Sequence, residues 1–404
     1  MARKTSVSSP TIDYWLIIAV SALTIVGLMM VFSATMYLTG TYDNPSTYYL
    51  NRQLLWVALG VVLLILIARV EYHLWLKYSL PLMAITLLVL LAVLIFAPER
   101  HGAQRWFLNG SIQPSEFAKL ATIIYLANWL SSKKEKIKQV SLGLVPFAIL
   151  IGIIIGLIVL QDDLSTSVLI GLTALAMFFV AGGEIWQLGL SGGIGGVIVY
   201  FLITLTNYRS DRLAEFALDP FSVPPTPGNY QIRQILIALG SGGFTGEGLG
   251  NGIQKNGAIP FLTIHTDSIF AVLGEEMGLI GALLVIGLFA FLAYRGFKIS
   301  LNAPDAFGTL LATGVICNLI FQALINVGVV TSTIPFTGIP MPFISYGGSS
   351  MVTSMASIGL LLAISRRTLP PETPEQDESD YATHDLRRWN RRTRVPRSRR
   401  RSSA

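Results

Sequence analysis

Residues 14–32 read YWLIIAVSALTIVGLMMVF and contain no charged side chain. This length matches the roughly 20 apolar residues that a helix needs to cross a bilayer. Backbone groups cannot stay unpaired in lipid, so apolar segments exposed to lipid must be helical. Ten such runs occur, at residues 14–38, 53–68, 79–97, 117–130, 142–160, 164–181, 185–206, 268–294, 306–330 and 349–365. We therefore predict an all-α polytopic membrane protein with about ten transmembrane helices.

The composition of the whole chain supports this prediction. The 404 residues are 52% hydrophobic and only 13% charged, with a mean hydropathy of +0.60. Soluble domains carry about 25% charged residues. The composition excludes an ordinary soluble enzyme, a DNA-binding domain and a disulfide-built secreted protein, so no nucleic-acid partner is expected. The net charge of +6 comes mostly from residues 366–404, which contain 11 arginines and 6 acidic residues.

Lysine and arginine residues concentrate in alternate connections between the apolar runs. Because such connections are usually cytoplasmic, we predict that both termini lie inside the cell. The predicted organisation is a cytoplasmic N-terminus at residues 1–12, a membrane domain at 13–366 and a disordered, Arg-rich cytoplasmic tail at 367–404. A large outer loop at residues 207–267 joins predicted helices 7 and 8, and its 232–239 stretch is expected to form a short helix.

Several ionisable residues lie where a membrane protein usually has none. Glu116 and Lys119 are separated by three residues and share a helix face, either as a self-neutralising pair or facing a polar cavity. Asp162 and Asp163 form a turn between two apolar runs and are either solvated or part of a site.

Asp267 begins the eighth apolar run and is either a helix cap or a functional carboxylate. On the helix that follows, Glu275 lies nearer to the face of Asp267 than Glu276 does. We therefore predict Glu275 as a neighbour of the site and Glu276 as a structural partner. Residues 340–350 precede the last run and form either a plain turn and cap or an anion-binding helix start.

A series of short motifs recurs in order along the chain. The motifs are Asn51-Arg52-Gln53-Leu54, Arg105-Trp106, Gln113-Pro114-Ser115-Glu116, Lys119-Leu120, Tyr208-Arg209-Ser210-Asp211-Arg212-Leu213, Gly248-Leu249-Gly250-Asn251, Gln254-Lys255, His265-Thr266-Asp267, Gly274-Glu275-Glu276 and Pro342-Phe343-Ile344-Ser345-Tyr346-Gly347-Gly348-Ser349-Ser350. Together they resemble the SEDS family of bacterial cell-wall polymerases, and its FtsW branch more closely than its RodA branch. The resemblance spans about residues 13–366.

The resemblance implies a peptidoglycan glycosyltransferase that polymerises lipid II at the outer face of the cytoplasmic membrane during cell division. The essential acidic residue of the family corresponds to Asp267, the expected general base. Eleven further residues are expected to bind substrate: Arg105, Trp106, Glu116, Lys119, Asp163, Arg212, Lys255, His265, Glu275, Ser345 and Ser349. The sequence departs from the pattern of the family at several positions. Asp162 stands in place of a Pro, Ser165 in place of a Gly and Ser268 in place of a Phe, and Phe261-Leu262-Thr263-Ile264 replaces the usual Leu-Pro-Glu before the His.

The chemistry and the resemblance also predict cofactors and partners. No organic cofactor is expected, and a divalent cation, Mg²⁺ or Mn²⁺, is expected to compensate the pyrophosphate charge. No dedicated metal motif is visible, so the metal ligands stay unassigned. The resemblance implies a class B penicillin-binding protein, a transpeptidase, as a partner, together with other divisome membrane proteins. Two alternatives remain, a lipid II flippase or transporter and a non-catalytic division scaffold.

Overall fold

The helices of the computed structural model follow the predicted apolar runs. The structure describes residues 12–36, 47–97, 105–106, 112–204, 216, 221, 227–253 and 264–367. The helices are α1 Tyr14–Thr35, α2 Tyr48–Arg69, α3 His73–Phe96, α4 Pro114–Lys133, α5 Val145–Val159, α6 Leu164–Val180, α7 Ile185–Thr204, α8 Pro227–Ser241, α9 Ile269–Leu301, α10 Ala306–Val330 and α11 Gly348–Ser365. A 3-10 turn, Lys134–Lys138, and a π-helical turn, Val140–Leu144, precede α5. Each of the ten predicted runs coincides with a helix, and α8 confirms the short helix expected within residues 207–267.

Most of these helices have the length and composition of membrane spans. Within the described ranges, 8 helices are long and apolar enough to cross a membrane, where α5 is counted together with the π-helical turn before it as Val140–Val159. Helix α6 is apolar but shorter. Helix α4 is less apolar because it carries Glu116, Lys119 and Lys133. Glu116 and Lys119 are buried inside the bundle, as expected for ionisable residues at membrane depth.

Helices α10 and α11 form the centre of the bundle. In the most apolar stretch of α11, 94% of the residues are buried, whereas the figure for α7 is 6%. Helix α11 packs against α2, α4, α9 and α10. A Cβ atom at Gly359 would lie 2.9 Å from the carbonyl oxygen of Leu64, so this glycine allows α2 and α11 to approach closely. Small residues have this effect at helix interfaces in membranes.

Polar contacts join the helix ends that the charge pattern assigns to one side of the membrane. The Arg295 guanidinium near the end of α9 lies 2.6 Å from the Asp13 carboxylate, which caps α1. His73 at the start of α3 lies 2.8 Å from the Asp305 carboxylate, which caps α10. These ends therefore meet on one side of the bundle. That this side is cytoplasmic stays a prediction, as do the boundaries at residues 12 and 367, and the tail from residue 368 lies outside the described residues.

Helix α9 is broken at Gly278, which has a φ of 64°. A break of this kind exposes backbone groups that a membrane interior cannot solvate. Residues 242–253, here called the glycine loop, supply hydrogen-bond partners on both sides of the break. The four bonds run from Leu279 N to Gly243 O, Ile280 N to Phe244 O, Glu247 N to Glu275 O and Gly248 N to Glu276 O, at 2.9–3.2 Å. The glycine loop therefore completes the broken helix and connects its short first part to the bundle.

Replacement of Gly246 in the glycine loop should destabilise the protein. Gly246 has a φ of 81°, and a Cβ atom there would lie 2.2 Å from the carbonyl oxygen of Glu276. Left-handed backbone and overpacking together should lower the free energy of unfolding of Gly246→Ala by about 2–5 kcal/mol. Unfolding of the purified protein in detergent measures this change. Gly240→Ala on α8, whose Cβ would meet no atom within 4 Å, is the control and should be neutral or stabilising. Equal midpoints for the two variants would contradict this account of the glycine loop.

Candidate active site

The turn that carries Asp267 is held by hydrogen bonds from two directions. Residues 264–268 lie directly before α9. The connection between α10 and α11 contributes two donors, since Tyr346 N donates to His265 O at 2.8 Å and Ser345 Oγ to Thr266 O at 2.7 Å. Helix α10 contributes a third, because Asn326 Nδ2 donates to Asp267 O at 2.9 Å. Three successive carbonyl groups are thus fixed by other elements of the bundle.

Asp267 lies just before the N-terminal end of α9. It is half-buried and close to Gly338. Gly338 has a φ of 64°, and a Cβ atom there would lie 3.2 Å from Asp267 Oδ2. The α10–α11 connection therefore contacts both the backbone of the 264–268 turn and the Asp267 carboxylate. Asp267 is intermediate in exposure, so its carboxylate lies near this connection without the residue being fully removed from solvent.

His265 packs within an aromatic cluster beside this turn. Its ring centroid lies 5.0 Å from that of Tyr49 and 5.2 Å from that of Tyr346. Burial raises the pKa of Tyr346 to about 12, so its hydroxyl stays protonated at neutral pH. His265 is only 6% exposed. The predicted substrate contact of His265 stays a prediction, and its observed contacts support the turn.

Glu116 and Lys119 form a buried ion pair, as the first of the two sequence interpretations proposed. Lys119 Nζ lies 2.9 Å from Glu116 Oε1 and donates to Gln322 Oε1 at 2.8 Å. Gln322 Nε2 in turn donates to Pro340 O at 2.8 Å, and Thr353 Oγ1 donates to Glu116 Oε2 at 3.3 Å. The pair lines a cavity of about 10 Å³, which is room for about one water molecule. Both interpretations therefore describe part of the arrangement.

The polar residues of α10 are the functional signal that the sequence reasoning missed. Asn318, Gln322 and Asn326 recur every four residues within an apolar run, so they lie on one face of the helix. Asn326 contacts the Asp267 turn and Gln322 contacts Lys119. Amides spaced in this way inside a membrane helix are a recognisable sign of an internal polar network.

Asp163 is buried and organises the N-terminal end of α6. Its Oδ2 accepts from Gln113 Nε2 and from Ser115 Oγ, both at 2.9 Å, and its Oδ1 accepts from Thr166 N at 3.2 Å. It therefore caps α6 and connects this helix to α4. Ser349 extends the network, because its Oγ accepts from Gln113 N at 3.3 Å.

Arg105 lies over the same turn of the chain. Its Nε donates to Gln161 O at 3.2 Å, and its Nη2 donates to Asp162 O. Trp106 is half-buried beside it. The guanidinium thus holds the connection between α5 and α6 in this structure, and its predicted contact with substrate stays a prediction.

Glu275 and Glu276 both contact the glycine loop. Glu275 Oε1 accepts from Ile253 N at 2.6 Å. Glu276 accepts from Gly250 N at 3.1 Å and from Ser33 Oγ at 2.5 Å, so its predicted structural role is confirmed. Each carboxylate is 1% exposed, and the substrate contact predicted for Glu275 stays a prediction.

Two basic residues predicted to bind substrate and the predicted divalent cation remain to be placed. Arg212 and Lys255 lie outside the described residues. Among the residues that are described, no group of three or more His, Cys, Asp or Glu side chains is arranged to hold a metal ion.

The whole membrane bundle matches a known protein family. A family model described as "Cell cycle protein", covering FtsW, RodA and SpoVE, matches residues 14–369. The chain belongs to this family. The FtsW/RodA/SpoVE resemblance expected from the motifs is therefore confirmed, and the chain is a multi-pass membrane protein.

Curated relatives in the FtsW/RodA/SpoVE family match over most of their length. The chain is 37% identical to "Probable peptidoglycan glycosyltransferase FtsW" of Geobacter metallireducens over 364 residues, covering 88% of this chain and 95% of the relative. It is 40% identical to "Stage V sporulation protein E" of Bacillus subtilis over 364 residues, covering 88% of this chain and 97% of the relative.

Solved structures of the same fold also match. A chain from a study of polymerization and crosslinking by a peptidoglycan synthase complex has a TM-score of 0.72 and 28% identity, over 88% of this chain and 98% of that chain. The rod shape determining protein RodA of Thermus thermophilus has a TM-score of 0.64 and 26% identity, over 89% of this chain and 98% of that chain. The predicted fold class is therefore confirmed.

Proposed function

We propose that this chain is a peptidoglycan glycosyltransferase that polymerises lipid II into glycan strands at the outer face of a bacterial cytoplasmic membrane. The observation that carries the proposal is the half-buried Asp267 carboxylate at one end of a membrane bundle, on a turn held by two other elements. The names of the FtsW relatives support the substrate class.

The proposed reaction joins two lipid-linked sugars. The acceptor 4-hydroxyl attacks the anomeric carbon of the donor strand, a C–O bond forms, and the bond from that carbon to the pyrophosphate oxygen breaks. Asp267 accepts the proton of the hydroxyl as general base, a role that typically contributes about 10²–10⁴-fold. Polyprenyl pyrophosphate leaves as a stable anion, so the protein does not need to supply a proton to it. A site at the membrane surface suits a substrate whose lipid tail stays in the bilayer.

The charge of the departing pyrophosphate has to be compensated. Lys119 is 4% exposed and already paired with Glu116, so its positive charge is largely offset by that carboxylate. Arg105 lies nearer to the surface and is half-buried. We propose that Mg²⁺ or Mn²⁺ binds with the pyrophosphate and neutralises part of its charge when present. The protein residues orient the sugars and accept the proton.

The polar interior of the bundle agrees better with an enzyme than with a flippase. The cavity beside Lys119 holds about one water molecule, far less than the disaccharide headgroup of lipid II requires. The Glu116–Lys119 pair is engaged by Gln322 and Thr353. We therefore place the proposed reaction at Asp267, at the outer surface of the membrane.

We further propose a division role with a class B penicillin-binding protein as partner and other divisome membrane proteins nearby. The similarity to a chain of a peptidoglycan synthase complex supports a transpeptidase partner. The similarity to FtsW relatives supports division. Both termini would then lie in the cytoplasm, in accord with the lysine and arginine pattern of the connections.

Purified full-length protein in nanodiscs tests the function directly. Lipid II is supplied with and without a class B penicillin-binding protein, and with Mg²⁺, Mn²⁺ or a chelator. Glycan polymer on a gel is the expected result, with a higher rate in the presence of partner and cation. In parallel liposomes, movement of fluorescent lipid II across the bilayer without polymer would show a flippase. No polymer and no movement, even with partner and cation, would show a scaffold.

A further inference from the structure

Asn326 is a buried amide that touches the main chain of the site from inside the bundle. It lies on α10 and is 1% exposed. Its Nδ2 donates to Asp267 O at 2.9 Å and to Ile339 O at 2.8 Å. Both amide hydrogens therefore point at carbonyl oxygens, and the reverse orientation would bring Oδ1 against the same two oxygens. A single side chain thus ties the Asp267 turn to the α10–α11 connection.

The residue next to Ile339 lies against the Asp267 side chain. Gly338 has a φ of 64°, and its Cβ position would be 3.2 Å from Asp267 Oδ2. Two contacts therefore determine how close the Asp267 carboxylate lies to this connection. Asn326 sets it through the main chain, and the absence of a side chain at Gly338 leaves space for the carboxylate.

We propose that Asn326 is a positioning residue for the polymerisation reaction. It holds Asp267 and the Gly338–Ile339 segment at a fixed separation, which places the carboxylate where the acceptor hydroxyl must arrive. Asn326 contacts neither sugar nor pyrophosphate and acts only through Asp267. This inference rests on the proposed function, in which Asp267 is the general base.

Other contacts would keep the connection in place if the Asn326 amide were removed. Gln322 Nε2 donates to Pro340 O at 2.8 Å, and Ser345 Oγ accepts from Met341 N at 2.7 Å. Tyr346 N donates to His265 O at 2.8 Å. Loss of Asn326 should therefore shift the Asp267 carboxylate while the rest of the connection stays attached. A displacement of about 1 Å at a reacting group can reduce a rate by about 100-fold.

Two substitutions at Asn326 test this role in the full chain with lipid II. Asn326→Ala removes the amide, and Asn326→Asp keeps its shape but places an oxygen against two carbonyl oxygens. We expect kcat to fall by about 10- to 100-fold in both variants, with KM for lipid II within about threefold of wild type. Gly338→Ala should give the same fall in kcat with little change in KM, because its Cβ would lie 3.2 Å from Asp267 Oδ2 and crowd the carboxylate.

Thr313→Val is the matched control. Thr313 lies on the same helix, is 2% exposed and bonds to Ser300 on α9 at 2.8 Å, about 20 Å along the helix from Asn326. The Thr313→Val substitution removes this buried hydrogen bond between α9 and α10 and leaves the Asp267 site unchanged. We expect a lower melting temperature and a kcat close to wild type.

The outcomes separate this inference from the proposed function. The positioning role is overturned if folded Asn326→Ala has wild-type kcat, or if its melting temperature falls as in Thr313→Val with no specific loss of kcat. If Asp267→Asn is inactive while both Asn326 variants are fully active, only the positioning role fails. If Asp267→Asn polymerises at the wild-type rate, the base assignment fails and the positioning role fails with it.

Discussion

Asp267→Asn should lose polymerisation activity by about 100-fold or more while the bundle stays folded. The amide keeps the shape of the carboxylate but cannot accept the proton of the acceptor hydroxyl. The contact with Asn326 uses the main-chain carbonyl of Asp267, not its side chain, so the hydrogen bonds to the turn survive the substitution. Initial rates of glycan formation from lipid II, measured beside melting curves, check both parts of the expectation.

Asp162→Asn is a matched control for this prediction. Asp162 is an exposed carboxylate on the connection between α5 and α6 and has a φ of 61°, which asparagine tolerates well. Arg105 contacts its main-chain oxygen, which the substitution retains. We expect a polymerisation rate close to wild type. A wild-type rate in Asp267→Asn itself would contradict the base assignment.

Lys119→Met should cause the largest loss of stability. The ion pair with Glu116 has side-chain exposures of 5% and 4%, and removal of the lysine leaves a buried carboxylate without its counter-charge. Breaking a buried pair from one side typically costs about 3–5 kcal/mol. Methionine has a similar length and fills the space, so the effect reports charge more than volume. Unfolding of the purified protein in detergent measures the loss.

The double variant Glu116→Gln/Lys119→Met distinguishes charge from packing. With both charges removed, stability should recover by part of the amount lost in Lys119→Met, since the two effects are coupled. Arg367→Met is a control, because Arg367 and Glu71 form a pair that is more than half exposed and should contribute only about 0–1 kcal/mol. A stability loss in the double variant equal to the sum of the losses in Lys119→Met and in Glu116→Gln alone would contradict the coupling.

The predicted helices agreed with the structure because apolar length alone decides which segments can cross a bilayer. Helix periodicity places Glu275 and Glu276 on different faces of α9, yet both carboxylates accept backbone N–H groups of the glycine loop. The periodicity of one helix does not include a distant segment of the chain that folds against it. The break at Gly278 explains why the segment is needed there.

The sequence by itself determined the membrane class, the ten helices, the family through its motifs, and Asp267 as the candidate base. The tertiary structure decided what holds Asp267, because Asn326 and Gly338 are 59 and 71 residues away along the chain. It also decided that Lys119 is engaged by Gln322 on another helix. Hydrogen bonds between distant segments depend on helix packing, which the periodicity of a single helix does not encode. In a membrane interior, where an unpaired polar group is costly, such contacts determine which buried residues serve the site.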